Sequence, residues 1–311
     1  MLLLGQSAWA QAGKQVTSVH HVFTAESKVW EKEAGSEDAT FTYDAQGRIL
    51  TGHTLVTLPS GNMEFNTTFG YNESAQTVTS TTSINVPGLP PGYSIQMLTE
   101  AKLENNLVKE LTETNIVTGA GQEIDKQFFE RDSEGRIIKV SQTDPDHPDR
   151  DTYDVLVWEG GNIVSTTTSD KSGSSDVTLH SYDLTHEAPQ KGWPCYMVMG
   201  APFQVSALQI MLAALDHFGP ASKNLLSSNK YSSHELTFAY EFDADGDVSK
   251  LEVRKDGTLV STYTFGLSSA GIGEVIADRT DSSYYTLQGY RVAVPKKGQV
   301  YICNGRKVVV K

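Results

Sequence analysis

The chain has 311 residues, with 38 acidic against 25 basic side chains and a net charge of −13. That balance excludes a nucleic-acid surface, which needs a basic patch. The length allows one large β domain or two smaller ones.

At the N-terminus, Met1 to Leu4 is apolar and Ala8-Trp9-Ala10 matches a small-x-small cleavage pattern. The expected mature start is Gln11, after cleavage at Ala10, leaving residues 1–10 as the remnant of an export signal. No cysteine lies near that point to carry a lipid anchor.

From residue 41 the chain reads as β-hairpins. Phe41 to Leu50 is FTYDAQGRIL, Phe129 to Ile138 is FERDSEGRII, and Tyr240 to Ser249 is YEFDADGDVS. Each runs aromatic, x, side chain, Asp, two residues of which the second is polar, Gly, polar. Asp44, Asp132 and Asp243 can fold a carboxylate onto backbone N–H groups further along, and Gly47, Gly135 and Gly246 can take a positive φ. Around these corners the pattern has period two: Leu236, Phe238, Tyr240 and Phe242 fall on one face of a strand. Between the first two copies, Thr54 to Leu58 and Met63 to Tyr71 flank a Pro59-Ser60-Gly61-Asn62 turn, and Thr77 to Ile84 is a Thr-rich strand with a wet face. Weaker hairpins start at Lys102, Leu156 and Glu252, and Ile163 to Ser169 is Thr-rich again. The clear copies start 88 and 111 residues apart, which fits an irregular meander rather than a solenoid or propeller.

Two segments depart from this pattern. Glu187 to Phe203 gathers Trp193, Tyr196 and Met197 among prolines and glycines. It reads as packed cover or, if exposed, as a binding loop. Then Ser206 and Gln209 form a capping box, Gly219-Pro220 stops the run, and the residues between are apolar nearly all round. That predicts one buried helix over about 206–218, set against the concave side of the sheet.

No constellation names a chemistry. Asp243, Asp245 and Asp247 fail the spacing of a calcium loop, because Gly246 is fourth and Arg254 twelfth when counted from Asp243. Asp144, Asp146, Asp149 and Asp151 read first as a solvated loop and second as hard oxygen ligands. His20 and His21 are adjacent, so a strand would turn them to opposite faces. No G-x-S-x-G occurs, and the Gly119 and Gly271 segments lack a dinucleotide context. No metal and no cofactor is implied. Cys195 and Cys303, the only cysteines, read as a disulfide or as buried free thiols.

The Asp-x-x-Gly hairpins, Trp158 to Val164 (WEGGNIV), HFGPASKNLL from His217 and FAYEFDADGDVSKLEV from Phe238 together resemble an uncharacterised exported Bacteroidetes family with a porin-like fold. The resemblance covers about residues 35 to 265 and implies a large, curved, barrel-like antiparallel sheet and no known activity. Tyr284 to Lys311 resembles the carboxyl-terminal segment of type IX secretion cargo. By its own pattern it holds a strand at Val300 to Cys303, an Asn304-Gly305 hairpin turn and a returning strand. It is either an address read by export machinery or a structural cap.

The expectation is therefore an all-β chain: a signal remnant at 1–10, a β-hairpin meander over 11–275 with one buried helix, and a small tail over 276–311. Its expected role is a non-catalytic, exported protein of the periplasm, cell surface or exterior that binds a small ligand, glycan or protein. The rivals are a glycan-acting hydrolase with carboxylates in the concavity, and an integral outer-membrane barrel. Against the latter, the strands show no regular apolar outer face with aromatic girdles.

Overall fold

In a computed structural model, residues 14–27, 33–44, 46–90, 93–119, 121–188 and 217–269 are described, the side chains of 14 and 268–269 excepted. Beyond them the backbone alone is described at 284–285, 291–292, 300–303 and 306–309. The chain divides into two units, Met1–Ser269 and Ala270–Lys311.

The first unit is a closed barrel of sixteen strands. They are β1 (Lys14–Phe23), β2 (Gly35–Tyr43), β3 (Ile49–Leu58), β4 (Gly61–Asn72), β5 (Thr77–Asn85), β6 (Ile95–Glu104), β7 (Leu107–Val117) and β8 (Gly121–Arg131). After them come β9 (Ile137–Thr143), β10 (Thr152–Glu159), β11 (Asn162–Asp170), β12 (Ser175–Glu187), β13 (Asn224–Lys230), β14 (Glu235–Phe242), β15 (Val248–Lys255) and β16 (Thr258–Ser269). Every strand pairs antiparallel with its chain neighbours, and β16 returns to pair with β1 from Lys14↔Ser269 to Phe23↔Ser261. The expected meander thus closes fully, which leaves no free sheet edge in the ring.

The Asp-x-x-Gly corners all lie at one end of the barrel, where β2, β8 and β14 hand over to β3, β9 and β15. Asp44 Oδ1 accepts the N–H of Gln46 at 2.8 Å and of Arg48 at 2.9 Å, and its Oδ2 accepts Arg48 Nε at 2.7 Å. Asp132 repeats this with Glu134 and Arg136. Asp243 does so with the backbone of Asp245 and Asp247, where no arginine follows. Gly47, Gly135 and Gly246 have φ of 79°, 80° and 89°. A further corner of the same form, Asp170 to Ser174, sits at the far end between β11 and β12.

What the corners deliver is a layer of core. Every odd strand buries an aliphatic side chain within its first three residues: Val16, Ile49, Val78, Val108, Ile137, Ile163, Leu225 and Val248. Most even strands add an inward donor to the carbonyl of such a residue. Tyr71 Oη donates to Ile49 O at 2.7 Å, Arg131 Nη2 to Val108 O at 3.0 Å, Trp158 Nε1 to Ile137 O at 2.8 Å and Tyr182 Oη to Ile163 O at 2.7 Å. Tyr43 likewise bonds Val16 O, and Tyr240 bonds Leu226 O. At these sites the register slips by one residue, for example between Thr42/Tyr43, Glu130/Arg131 and Val157/Trp158. A bulge frees a carbonyl from the ladder, and the inward side chain satisfies it.

The connection between β12 and β13 returns along this same end. Val108 donates its N–H to His217 O at 2.7 Å, Arg131 bonds Phe218 O, Ser222 Oγ accepts the N–H of Ile163, and Lys223 donates to Gly161 O. Residues 217 to 224 are thus a strap laid across the ends of β7 to β12. Seven residue steps at about 3.3 Å nearly match five strand spacings at about 4.8 Å. Phe218 packs against both hydrophobic clusters of the interior, one centred on β12–β16 and β1, the other on β3–β11.

The helix expected over about 206–218 is not borne out: among the described residues the only helical elements are two 3-10 turns, Ala25–Ser27 and Pro148–Arg150. Of that segment only His217 and Phe218 are described, and they form a turn; the rest lies outside the described residues. The Gly219-Pro220 stop, read as the end of a helix, belongs to the strap.

The second unit contains β17 (Tyr284–Tyr285), β18 (Arg291–Val292), β19 (Val300–Cys303) and β20 (Arg306–Val309), in the sheet order β18-β17-β19-β20. β19 and β20 are antiparallel, with Cys303 opposite Arg306.

Candidate functional site

Alternation along the strands gives the barrel wall two different faces. Facing solvent are Thr42, Thr51, Thr68 and Thr81, aligned in one row across β2 to β5. Cross-strand ion pairs share this outer face: Lys102–Glu110 at 3.1 Å, Lys139–Glu130 at 2.7 Å and Lys250–Glu241 at 2.7 Å. An exception is a patch on β10 and β12, where Val155 and Val157 stand across Thr167 and Ser165 from Val177 and Leu179. All four of these apolar residues are exposed.

The inward face changes along the barrel axis. Near the corner end it is the packed aliphatic layer beneath the strap. Toward the far end its residues become half-buried or, at Glu123 and Thr168, exposed, and they divide by chemistry. On β7 to β12 they are Glu113, Asn115, Glu123, Asp125, Gln127, Gln142, Asp154, Thr168 and His180. On the rest of the wall they are largely apolar, including Phe65, Ile84, Ile95 and Met97.

The acidic sector carries perturbed titrations. Burial raises the Asp125 carboxyl, and the nearby negative charges of Asp144 and Glu123 push it the same way. Burial also raises Asp154, against the opposing effect of the Thr168 hydroxyl, which donates to it at 2.6 Å. His180 is held down by desolvation. Its Nδ1 lies 2.7 Å from Asn229 Oδ1 and its Nε2 2.9 Å from Thr166 Oγ1. An amide oxygen only accepts, so Nδ1 carries the proton and Nε2 receives the threonine hydroxyl.

Among the described residues, three buried side-chain atoms have no hydrogen-bond partner: His21 Nε2, Ser80 Oγ and Thr99 Oγ1. All three belong to the inward face. His21 is stacked on Tyr263 with ring centroids 3.8 Å apart, and its Nδ1 lies 2.8 Å from Glu37 Oε2. That contact engages one ring nitrogen and leaves Nε2 as the one without a partner. His20, on the opposite face, contacts Asp38. Ser80 and Thr99 stand opposite each other across β5 and β6, and Thr99 stands opposite Glu113 on β7. Of these residues, only the opposed placement of His20 and His21 was legible beforehand. The orphaned hydroxyls carry no motif and emerge only from the register.

The remaining sequence candidates disperse. Asp44, Asp132 and Asp243 are bound up in their corners, away from the acidic sector. Asp144 caps the backbone of Asp146 and His147, and Asp151 pairs with Lys171 at 2.7 Å. Among the described residues no group of three or more His, Cys, Asp or Glu is placed to hold a metal ion. Ala10, Gln11, Trp193, Tyr196, Met197 and Cys195 lie outside the described residues, as does the side chain of Cys303. No described helix is long and apolar enough to cross a membrane, which says nothing of crossing by strands.

Solved structures with a similar fold are a porin-like protein from Bacteroides uniformis ATCC 8492 and another from Bacteroides vulgatus ATCC 8482. The first has a TM-score of 0.55 at 12% identity, covering 81% of this chain and 96% of that one. The second has a TM-score of 0.53 at 12% identity, covering 82% of this chain and 98% of that one. No protein-family model matches the chain. No curated protein matches it either.

Proposed function

We propose that this chain is a non-catalytic, exported β-barrel whose outer face meets water and whose far-end interior binds a ligand. The observation that carries the reading is the set of orphaned inward atoms, His21 Nε2, Ser80 Oγ and Thr99 Oγ1. Buried polar groups without partners are costly, and a molecule in the lumen would satisfy them. The outer ion pairs support a water-facing wall, since Lys or Arg at a bilayer midplane costs about 2–4 kcal/mol. The Ala8-Trp9-Ala10 pattern and the porin-like fold support an envelope or exterior location. Tyr284 to Lys311 then serves as the export address.

The test is labelling of the interior. With Cys195 and Cys303 replaced by Ser, Asn115→Cys and Gln127→Cys should react with a small thiol reagent in the folded state, while Ala101→Cys in the packed layer should not. Failure of both to react would mean that the interior is filled, and the reading falls. The same preparation should be monodisperse without detergent. A requirement for detergent would favour the integral barrel.

A further inference from the structure

The chamber reading leaves the class of ligand open, and the acidic wall narrows it. Two adjacent inward rows cross from β4 to β8. One is Phe69, Ser80, Thr99, Glu113 and Asp125; the other is Thr67, Thr82, Met97, Asn115 and Glu123. The first row passes from an aromatic ring through two buried hydroxyls without partners to two carboxylates. Among the described inward residues of β7 to β12, the one cation is Arg131, at the corner end, where it is engaged by the carbonyls of Val108, Gly135 and Phe218. The far-end wall of β7 to β12 therefore carries the carboxylates of Glu113, Glu123, Asp125 and Asp154 with no lysine or arginine among its described inward residues there, and the negative charges of Asp144 and Glu123 lie close enough to raise Asp125.

A wall of this kind selects a donor with positive charge. A bare metal ion needs several oxygens converging on one point, which the described carboxylates do not offer. An ammonium group carries three donors and tolerates spread acceptors. Phe65, Phe69 and Met97, inward and half-buried beside the hydroxyls, would receive hydrocarbon.

Resting on the chamber reading, we infer that the interior takes an amphiphilic primary amine, its ammonium group at the Ser80–Thr99–Glu113–Asp125 row and its apolar part on the β4–β6 wall.

The experiment titrates the full-length chain with octylammonium, 1-octanol and octanoate below their micellar concentrations, read by calorimetry and by thermal shift. Octylammonium should bind and raise the melting temperature, and octanoate should not bind. The double variant Glu113→Gln with Asp125→Asn should weaken octylammonium at least about tenfold, as expected for loss of charge-assisted hydrogen bonds. Glu130→Gln on the outer face should leave binding unchanged. Thr99→Val, close in shape to the native side chain, gives a second measure if the double variant folds poorly, and it should also weaken the amine. Equal affinity for octanol and octylammonium, or undiminished binding to the charge-neutral variants, would overturn the amine assignment. If none of the three binds while Asn115→Cys and Gln127→Cys still label, the amine assignment fails and the chamber stands. If labelling also fails, the chamber itself is refuted.

Discussion

At the scale of single residues, the corners and the inward donors set the expectations. Gly135 has a φ of 80°, and a Cβ there would meet Leu107 Cδ1 at 3.7 Å, an ordinary contact. Gly135→Val therefore suffers through its backbone rather than through collision and should lose about 1–3 kcal/mol in denaturant melts. Tyr71→Phe removes the donor to Ile49 O and should cost about 1 kcal/mol. Arg131→Met should cost more, since it strands three carbonyls at once, and burial has already pulled the Arg131 pKa down to about 10. His180 gives a pH signature. Its folded pKa is depressed, so the folded state resists protonation. Its contribution to stability is complete above the unfolded pKa of about 6.5 and declines as pH falls below that value. Melting measured from pH 8 to 5 should show this slope, and His180→Gln should flatten it. The corners were legible from Asp and Gly spacing alone. The donors were not, because a tyrosine that packs and a tyrosine that satisfies a bulged carbonyl look alike in sequence.

At the scale of elements, period-two patterning was a strong guide because each strand has one packed and one wet face. Thr77 to Ile84 shows it well: Val78, Ser80 and Thr82 are buried and Thr79, Thr81 and Ser83 exposed. The Gly219-Pro220 stop was read as the end of a helix over about 206–218 because its local signal is ambiguous. Gly219-Pro220 stops a helix in isolation, yet Gly219 here has a φ of 82° and lies close against Gly135 O. A Cβ at Gly219 would come within 2.8 Å of that oxygen. Gly219→Ala should therefore lift the strap from β8, measurable as faster amide exchange at Val108, whose N–H bonds His217 O. Exchange unchanged at Val108 would show that the strap tolerates the displacement.

At the scale of the whole molecule, ring closure could not be deduced from the chain. Hairpin spacing says which neighbours zip together but not whether the first strand meets the last. The porin-like resemblance supplied curvature, and the β1–β16 register supplied closure. The acidic sector was hidden for a similar reason: 38 acids are scattered along the sequence, and only the register gathers Glu113, Glu123 and Asp125 on one wall. For the second unit, deleting Tyr284 to Lys311 should abolish export while the barrel, as a separate unit, keeps its melting transition. Loss of that transition would identify the segment as a cap.

The pairing of Lys14 with Ser269 makes a seam between the two extremities of the ring. During synthesis, every earlier intermediate carries two raw borders, and the final strand heals both in one event. A permutant joined by a short linker from residue 14 to 269 and reopened at Gly61, where a positive φ and empty surroundings mark an undemanding bend, would move that wound elsewhere while leaving the finished ring the same. Comparing how far each version aggregates while refolding would reveal how dangerous the unsealed stage is.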